Sequence, residues 1–289
     1  ATTNATAPKS APAKKQSEGF TGIKSGFTVI ICCAVLAVAV YLFGFGQISN
    51  FKGGEESGVA FHFLLPGDMS LDPAGLVGTV YKGGFVVPII WTLLFSVFAL
   101  SIERFFAIRT AYGRSSLSKF VANIKKALAS NNLAEANKLC DAQRGSVANV
   151  VKATLQTYNE MENTSELKKE QKVLGIQKSL EEATALEMPM MQENLPIIAT
   201  LVSLGTLMGL FGTVLGMIRS FAAMAEGGGA DSSALSVGIS EALVNTASGI
   251  ACGALATVSY NYFTNKIDRL TFAIDEVGFS IVQTFNATH

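Results

Sequence analysis

Four long stretches with almost no charge constrain the fold of this chain more than any other feature. They are residues 26–46, 83–103, 195–225 and 236–263. A helix needs about 20 apolar residues to cross the roughly 30 Å hydrocarbon core of a bilayer, and each stretch is long enough. Charged residues make up 15% of the chain, below the roughly 25% of an ordinary soluble domain. The sequence therefore predicts an all-α, polytopic membrane protein with four transmembrane spans.

The segments outside the spans differ in composition. Residues 1–25 are rich in Ala, Thr, Lys and Pro and have almost no large apolar groups, so we expect a disordered tail. Residues 47–82 and 226–235 are expected as loops. Residues 104–194 carry a helical pattern with many charges, and residues 264–289 are expected to form a C-terminal helix.

Lysine and arginine residues near the span ends indicate the orientation. They precede the first span and follow the second and fourth, whereas the loop at 226–235 contains none. Because such residues concentrate on the cytoplasmic side, we expect both termini and the 104–194 helical domain in the cytoplasm of a bacterium and both loops in the periplasm. The location is then the inner membrane. A signal peptide is the alternative for the first apolar stretch.

The predicted cytoplasmic domain has the pattern of amphipathic helices. The segment at 165–188 is dense in Glu and Lys, which is typical of a solvated helix face, with a partner-docking face as the alternative. Its apolar side is predicted from Leu167, Leu174, Ile176 and Leu180. Asn131 and Asn132 mark a turn or cap between two helices of this domain.

Residue types that support metal binding or enzymatic chemistry are sparse. Cys32, Cys33, Cys140 and Cys252 show no CxxC or Cys/His spacing, and His62 and His289 are isolated. We therefore expect no metal, no other cofactor and no catalytic residues. The net charge of zero gives no indication of nucleic-acid binding.

Glycines form a continuous face on each of the last two spans. In membranes such faces allow two helix backbones to approach closely. At about 100° per residue, the glycines of the third span fall within about 60° of one another. The residues predicted for helix packing are Gly205, Gly209, Gly212, Gly216, Gly249 and Gly253.

Polar side chains flank the two glycine faces. Thr206 and Thr213 lie seven residues apart beside the first face, and Thr246 and Thr257 lie beside the second, with Asn245 nearer its glycines. A membrane hydroxyl often only bonds back to its own helix, which is the alternative to a functional role.

Glu241 is the one carboxylate that lies on either final span away from the loop between them. It points about 140° away from Thr246 around the helix, so the two side chains cannot both face one narrow pore. An ionisable group within a span is a functional candidate. The alternative is an interfacial Glu that the helix N-terminus stabilises.

The middle of both final spans lacks Asp, Glu, Lys and His. Hydroxyl groups do not titrate near pH 7. If the protein moves protons, a partner must therefore supply the titrating group.

Two motifs in these spans resemble the MotA/TolQ/ExbB proton-channel family, and ExbB most closely. They are GLFGTVLGMIRSF at 209–221 and EALVNTASGIACGALATVSYNYF at 241–263. The resemblance implies a homopentameric ring around single-span ExbD-like or TolR-like helices that bring a membrane Asp. It implies pore-lining roles for Thr213 and Thr246, identifies Glu241 as the motif glutamate and makes protons the coupling ion.

The chain departs from the usual family pattern in several places. Thr206 and Leu255 occupy positions where the family usually has Pro, so the chain lacks the residues that would produce helix kinks there. Asn245 replaces a small residue and would add a polar group near the pore, as Thr206 and Thr257 could. The first span is extra relative to the commonest members, which have three.

The resemblance implies a subunit that energises TonB-dependent transport across the outer membrane, together with a TonB-like protein. A TolQ-like subunit of the envelope system or a MotA-like motor stator is the alternative within the family. A membrane scaffold without an ion path is the alternative from another class.

Overall fold

The computed structural model describes residues 26–52, 74–226 and 232–288. Nearly all of these residues are helical, and four helices are long and apolar enough to cross a bilayer. The prediction of an all-α, multi-pass membrane protein is therefore confirmed. The α-helices are α1 (Gly26–Ala39), α2 (Leu76–Tyr81), α3 (Val86–Tyr112), α4 (Leu117–Ala129), α5 (Leu133–Gln143), α6 (Ser146–Asn163), α7 (Lys169–Gln192), α8 (Leu195–Glu226) and α9 (Ser232–Thr288).

Some of the expected features lie outside the described residues. They include the disordered tail at 1–25, both histidines, and the central parts of the two predicted loops. Within the first loop the structure adds a 3-10 turn at Ile48–Asn50 and the short helix α2.

The helices extend beyond the predicted spans. The first span continues from α1 into a π-helical turn at Val40–Phe45. The fourth span and the C-terminal helix, expected as separate segments, form the single 57-residue helix α9. Neither α8 nor α9 is interrupted at Thr206 or Leu255, because neither position carries the proline that would remove a backbone donor.

The chain forms two compact units. Among the described residues, the charged unit comprises residues 107–191 and 267–288. The span unit comprises residues 26–52, 74–106, 192–226 and 232–266.

The charged unit is held together by amphipathic helices. In α4, apolar side chains at helical spacing, among them Phe120, Ile124 and Leu128, are buried. The predicted cap is present, since Asn132 accepts a hydrogen bond from the backbone N–H of Glu135 at 3.0 Å. Asn131 before it adopts a left-handed backbone with φ of 50°, which Asn tolerates better than most residues.

The α7 prediction was partly wrong. Ile176 is buried and Leu180 lies against Gly278, but Leu174 and Leu167 are exposed. Leu167 precedes the first residue of α7. Ile176 and Leu180 are one helical turn apart and therefore define the buried face, whereas Leu174 lies about 160° around the helix from Ile176.

Candidate functional site

Helices α8 and α9 pack along their glycine faces in backbone contact. A Cβ atom added at Gly209 would lie 3.0 Å from the Cα of Gly249, and one at Gly205 would lie 3.1 Å from the backbone nitrogen of Gly253. Each step of four residues along α8 is matched by a step of four back along α9, as in an antiparallel pair. The contact is so close that side chains are excluded at these positions, and dispersion between the backbones stabilises it.

The pairing of the helices brings the two motif threonines together. The Oγ1 atoms of Thr213 and Thr246 are hydrogen-bonded to each other. Each hydroxyl is also within donor distance of its own helix, Thr213 at 3.2 Å from the Gly209 carbonyl and Thr246 at 3.0 Å from the Ala242 carbonyl. Both side chains are half-buried.

The other predicted pore hydroxyls lie apart from this pair. Thr206 donates to the Val202 carbonyl at 3.3 Å and lies against Gly253. Thr257 donates to the Gly253 carbonyl at 2.8 Å and is exposed. Each hydroxyl makes the bond to its own helix that is common for membrane Ser and Thr.

Asn245 is buried beneath α8 instead of lining an open surface. Its Cβ and amide lie directly against Gly212, so that any side chain at position 212 would overlap them. Its Nδ2 donates to the Gly83 carbonyl at 2.8 Å. Its Oδ1 is buried without a hydrogen-bond partner among the described residues.

Glu241 is paired with Arg219 of α8. The carboxylate is almost fully buried, with its side chain 4% exposed, whereas the Arg219 side chain is 48% exposed. The carboxylate also lies against Gly84, whose φ of 76° is left-handed. The charge on Glu241 is thus compensated within the chain.

An aromatic cluster lies behind the Gly83–Gly84 backbone. Tyr81 is stacked on Tyr41 with ring centroids 4.7 Å apart, and the Tyr41 hydroxyl donates to the Tyr81 carbonyl at 3.0 Å. Phe51 packs edge-on against Tyr81 at 5.8 Å. Trp91 of α3 packs against Phe45 at 4.8 Å. The first span therefore contacts α2 and α3 through aromatic side chains.

A second buried ion pair lies at the other end of the spans. Arg104 and Glu103 are both buried, and Arg104 Nε donates to Glu103 Oε2 at 2.6 Å. Asn194, which precedes α8, donates to the same oxygen at 3.3 Å. Arg104 is one of the basic residues that follow the second predicted span, and its pairing with Glu103 was not predicted from the sequence.

The chemistry available at the threonine pair is hydrogen bonding. Between Leu195 and Ile218, and between Ala242 and Ser259, there is no Asp, Glu, Lys, Arg or His. In the described part of the chain, no three His, Cys, Asp or Glu side chains converge as metal ligands. The pair can therefore bind and orient a carboxylate or water, but it does not itself carry a proton between titration states near pH 7.

The sequence reasoning missed the partner of Glu241. The spacing of residues along the two helices could have indicated this partner. When the two glycine faces pack antiparallel, the position one turn after Gly216 lies near the position one turn before Asn245. Arg219 and Glu241 occupy those positions. The role of Gly83 and Gly84 had no local sequence signal.

Comparisons with known proteins agree with the site. Residues 143–276 match the model of the MotA/TolQ/ExbB proton channel family. An ExbB-like biopolymer transport protein of Synechocystis is 35% identical over 34% of this chain and 48% of its own length. The Tol-Pal system protein TolQ of Pseudomonas aeruginosa is 33% identical over 33% of this chain and 42% of its own length.

The biopolymer transport protein ExbB of Helicobacter pylori is 38% identical over 27% of this chain and 54% of its own length. The aligned part thus spans about half the length of each of these relatives. The family match includes all of α8 and both motif threonines. Residues 143–276, which include the paired threonines of α8 and α9, are thus similar to the MotA/TolQ/ExbB proton channel family.

Proposed function

We propose that this protein is the stator subunit of an ExbB–ExbD-type complex, in which the proton-motive force energises TonB-dependent transport across an outer membrane. The observation that carries the proposal is the hydrogen-bonded contact between Thr213 and Thr246 in a segment of a proton channel family. The proposal includes the bacterial inner membrane as its location and both termini in the cytoplasm.

The proposal assigns the proton-carrying group to a partner. The threonine pair offers hydroxyls but no group that titrates near pH 7. A single-span, ExbD-like protein would present a carboxylate to the threonines of a homopentamer of this chain. The half-buried state of both threonines leaves room for such a contact.

The proposed mechanism is a change in hydrogen bonding with protonation. A charged carboxylate accepts strong hydrogen bonds from hydroxyls, and protonation removes part of this acceptor capacity. Proton entry and release would thus alternately weaken and strengthen the contact with the threonine pair. The partner's single-span helices and the ring formed by this chain would then move relative to each other by one step. This motion would be transmitted to a TonB-like protein.

The test is Thr246→Val, which removes the hydroxyl and nearly preserves the shape. We expect partner-dependent proton flux and energised uptake to be lost, while the amount of assembled complex stays unchanged. Thr200→Val is the matched control, because Thr200 is exposed on α8 and donates only to the Pro196 carbonyl at 2.9 Å. Wild-type flux in Thr246→Val would contradict the proposal.

A TolQ-like role in the Tol-Pal system is the second candidate, favoured by the similarity to TolQ of P. aeruginosa. The two roles differ in the single-span protein that the chain binds. Purification of the complex from its native membrane, with identification of that protein by mass spectrometry, separates them. A scaffold without an ion path would show assembly without any proton flux that depends on Thr213 or Thr246.

A further inference from the structure

The backbone turn between α2 and α3, residues 82–85, is fitted directly onto α8 and α9. We call these residues the glycine turn. At Gly84 the left-handed φ of 76° disfavours any other residue, and a Cβ atom there would overlap the Glu241 carboxylate. At Gly83 a Cβ atom would lie 2.4 Å from the Val87 side chain and 3.1 Å from that of Val244. The close contact therefore requires glycine at both positions.

Polar contacts attach the glycine turn to both helices. Asn245 of α9 donates to the Gly83 carbonyl at 2.8 Å. The guanidinium carbon of Arg219, on α8, lies 5.9 Å from the centre of the Phe85 ring, within cation–π range. Since Arg219 also pairs with Glu241, the turn, α8 and α9 meet in one network.

Glu241, Val244 and Asn245 present one face of α9 to this turn, because residues three and four apart are neighbours on a helix. Val244 also packs against the buried cluster of Tyr41, Phe51, Tyr81 and Val87. The first span therefore supports the glycine turn from behind, through Tyr41 and its stacked partner Tyr81.

The network lies one residue from each motif threonine. Asn245 directly precedes Thr246, and it packs against Gly212, which directly precedes Thr213. A displacement of Asn245 must therefore change how the two threonines face each other. The Oδ1 atom of Asn245 is buried and has no hydrogen-bond partner in the described part of the chain, which costs free energy. The hydrogen bond from its Nδ2 atom to the Gly83 carbonyl offsets part of that cost.

We propose that the glycine turn is an internal clamp that fixes the separation of Thr213 and Thr246, with Asn245, Glu241 and Arg219 as positioning residues and the first span as its support. Glu241 then acts through its ion pair with Arg219 and is not the group that transfers protons. The predicted effect of the clamp on proton flux rests on the proposed function. Its predicted effect on the separation of Thr213 and Thr246 does not.

The geometric test measures disulfide formation between positions 213 and 246. The full-length chain, reconstituted in lipid vesicles with its four native cysteines changed to alanine, carries Thr213→Cys and Thr246→Cys and is oxidised with copper phenanthroline. We expect fast cross-linking, and at least a fivefold slower rate when Asn245→Ala is added. Asn137→Ala, on α5, is the matched control and should leave the rate unchanged. An unchanged rate with Asn245→Ala would overturn the clamp.

Trp91 gives a second readout, because it is the single tryptophan of the chain and belongs to the aromatic packing behind the turn. With native threonines and cysteines, Asn245→Ala should shift its fluorescence emission, whereas Thr246→Val should not. Equal emission in the wild type and Asn245→Ala would overturn the link to the first span.

Proton flux separates the two proposals. We expect Asn245→Ala to reduce flux at least fivefold at equal amounts of complex, and Arg219→Lys to retain more flux than Arg219→Gln, because only lysine keeps the charge. If Thr246→Val retained wild-type flux while Asn245→Ala still slowed cross-linking, the proposed function would fail and the clamp would stand.

Discussion

The α8–α9 pair carries two polar sites that differ in every physical respect. The threonine site, Thr213 and Thr246, is uncharged and half-buried. At the charged site the glycine turn covers Glu241, whose side chain is 4% exposed, whereas the side chain of its partner Arg219 is 48% exposed. The carboxylate is therefore less accessible to a partner protein than the two hydroxyl-bearing side chains are.

The difference has an energetic basis. A carboxylate inside a membrane protein is costly unless it is paired and hydrogen-bonded, and here the chain itself supplies the pairing. A threonine hydroxyl carries one proton, which it can donate either to a carbonyl of its own helix or to a partner, so it can exchange one acceptor for another at little cost. The charged site is thus suited to holding a structure, and the threonine site to changing partners.

Disruption of the glycine faces should disrupt the threonine site and the charged site together, because both depend on the close packing of α8 and α9. A Cβ atom at Gly249 would meet the Cα of Gly209 at 2.6 Å. We expect Gly249→Ala to lower the free energy of unfolding in mixed micelles by about 3 kcal/mol or more, at the upper end of overpacking effects. Gly44→Ala, where the nearest side-chain atom is 3.6 Å away, is the control. Similar losses in both variants would contradict the packing.

Removal of one charge should distinguish the sites most sharply. A buried ion pair that loses one partner typically costs about 3–5 kcal/mol. Because the Arg219 side chain is 48% exposed, we expect Arg219→Gln to cost about 1–3 kcal/mol by the same measurement. The double variant with Glu241→Gln should recover part of this loss. Strict additivity of the two substitutions would mean that the pair is not coupled.

Loss of the Tyr41 hydroxyl should weaken the charged site from a distance. Tyr41→Phe keeps the ring stacking and deletes the bond to the Tyr81 carbonyl. We expect a loss of about 1 kcal/mol in unfolding free energy, together with a shift of Trp91 fluorescence. Thr79→Val, which removes an exposed hydroxyl bond to Gly75, should cause neither change.

The threonine site should respond in function more than in stability. Thr213→Val should cost about 1 kcal/mol or less, yet abolish partner-dependent proton flux. Thr213→Ser, which keeps the hydroxyl, should retain flux. A serine variant as inactive as the valine variant would show that the methyl group, and not the hydroxyl, is required.

The smallest expected effect concerns the buried Cys140 thiol of the charged unit, which lies outside the spans and serves as a reference for a buried group there. Burial, with a smaller contribution from Asp141, raises the pKa of the Cys140 thiol to about 12. We expect iodoacetamide at pH 8 to modify native Cys140 much more slowly than an exposed thiol introduced by Ser130→Cys. The stabilisation from this group is complete below about pH 9 and is lost as the pH rises towards 12. Equal modification rates would contradict its burial.

Much of the architecture followed from local pattern. Uncharged length identified the four spans, and the spacing of Gly205 and Gly209 identified a packing face. The cap at Asn132 followed from residue type. The continuity of α9 was less predictable, since the change from apolar to charged residues near Lys266 marks a change of surroundings and not the end of a helix.

Only those features of the site that depend on helical periodicity, such as the face on which a side chain lies, were predictable from the sequence. Angles around α9 separated Thr246 from Glu241, and the structure gives them different partners. Arg219 was visible as a charge, but its partner depends on the register between two helices. Gly83 and Gly84 are distant in sequence from α9, so no local pattern relates them to Asn245.

The sequence by itself determined that four helices are long and apolar enough to cross a membrane, that two of them carry glycine faces, and that neither of these two has an acid in its middle, because length, periodicity and residue type are local properties. Only the tertiary structure decided which threonine contacts which, that Arg219 neutralises Glu241, and that a turn supported by the first span closes over them. Those outcomes depend on the register and approach of segments far apart in the chain, which packing sets and local sequence does not.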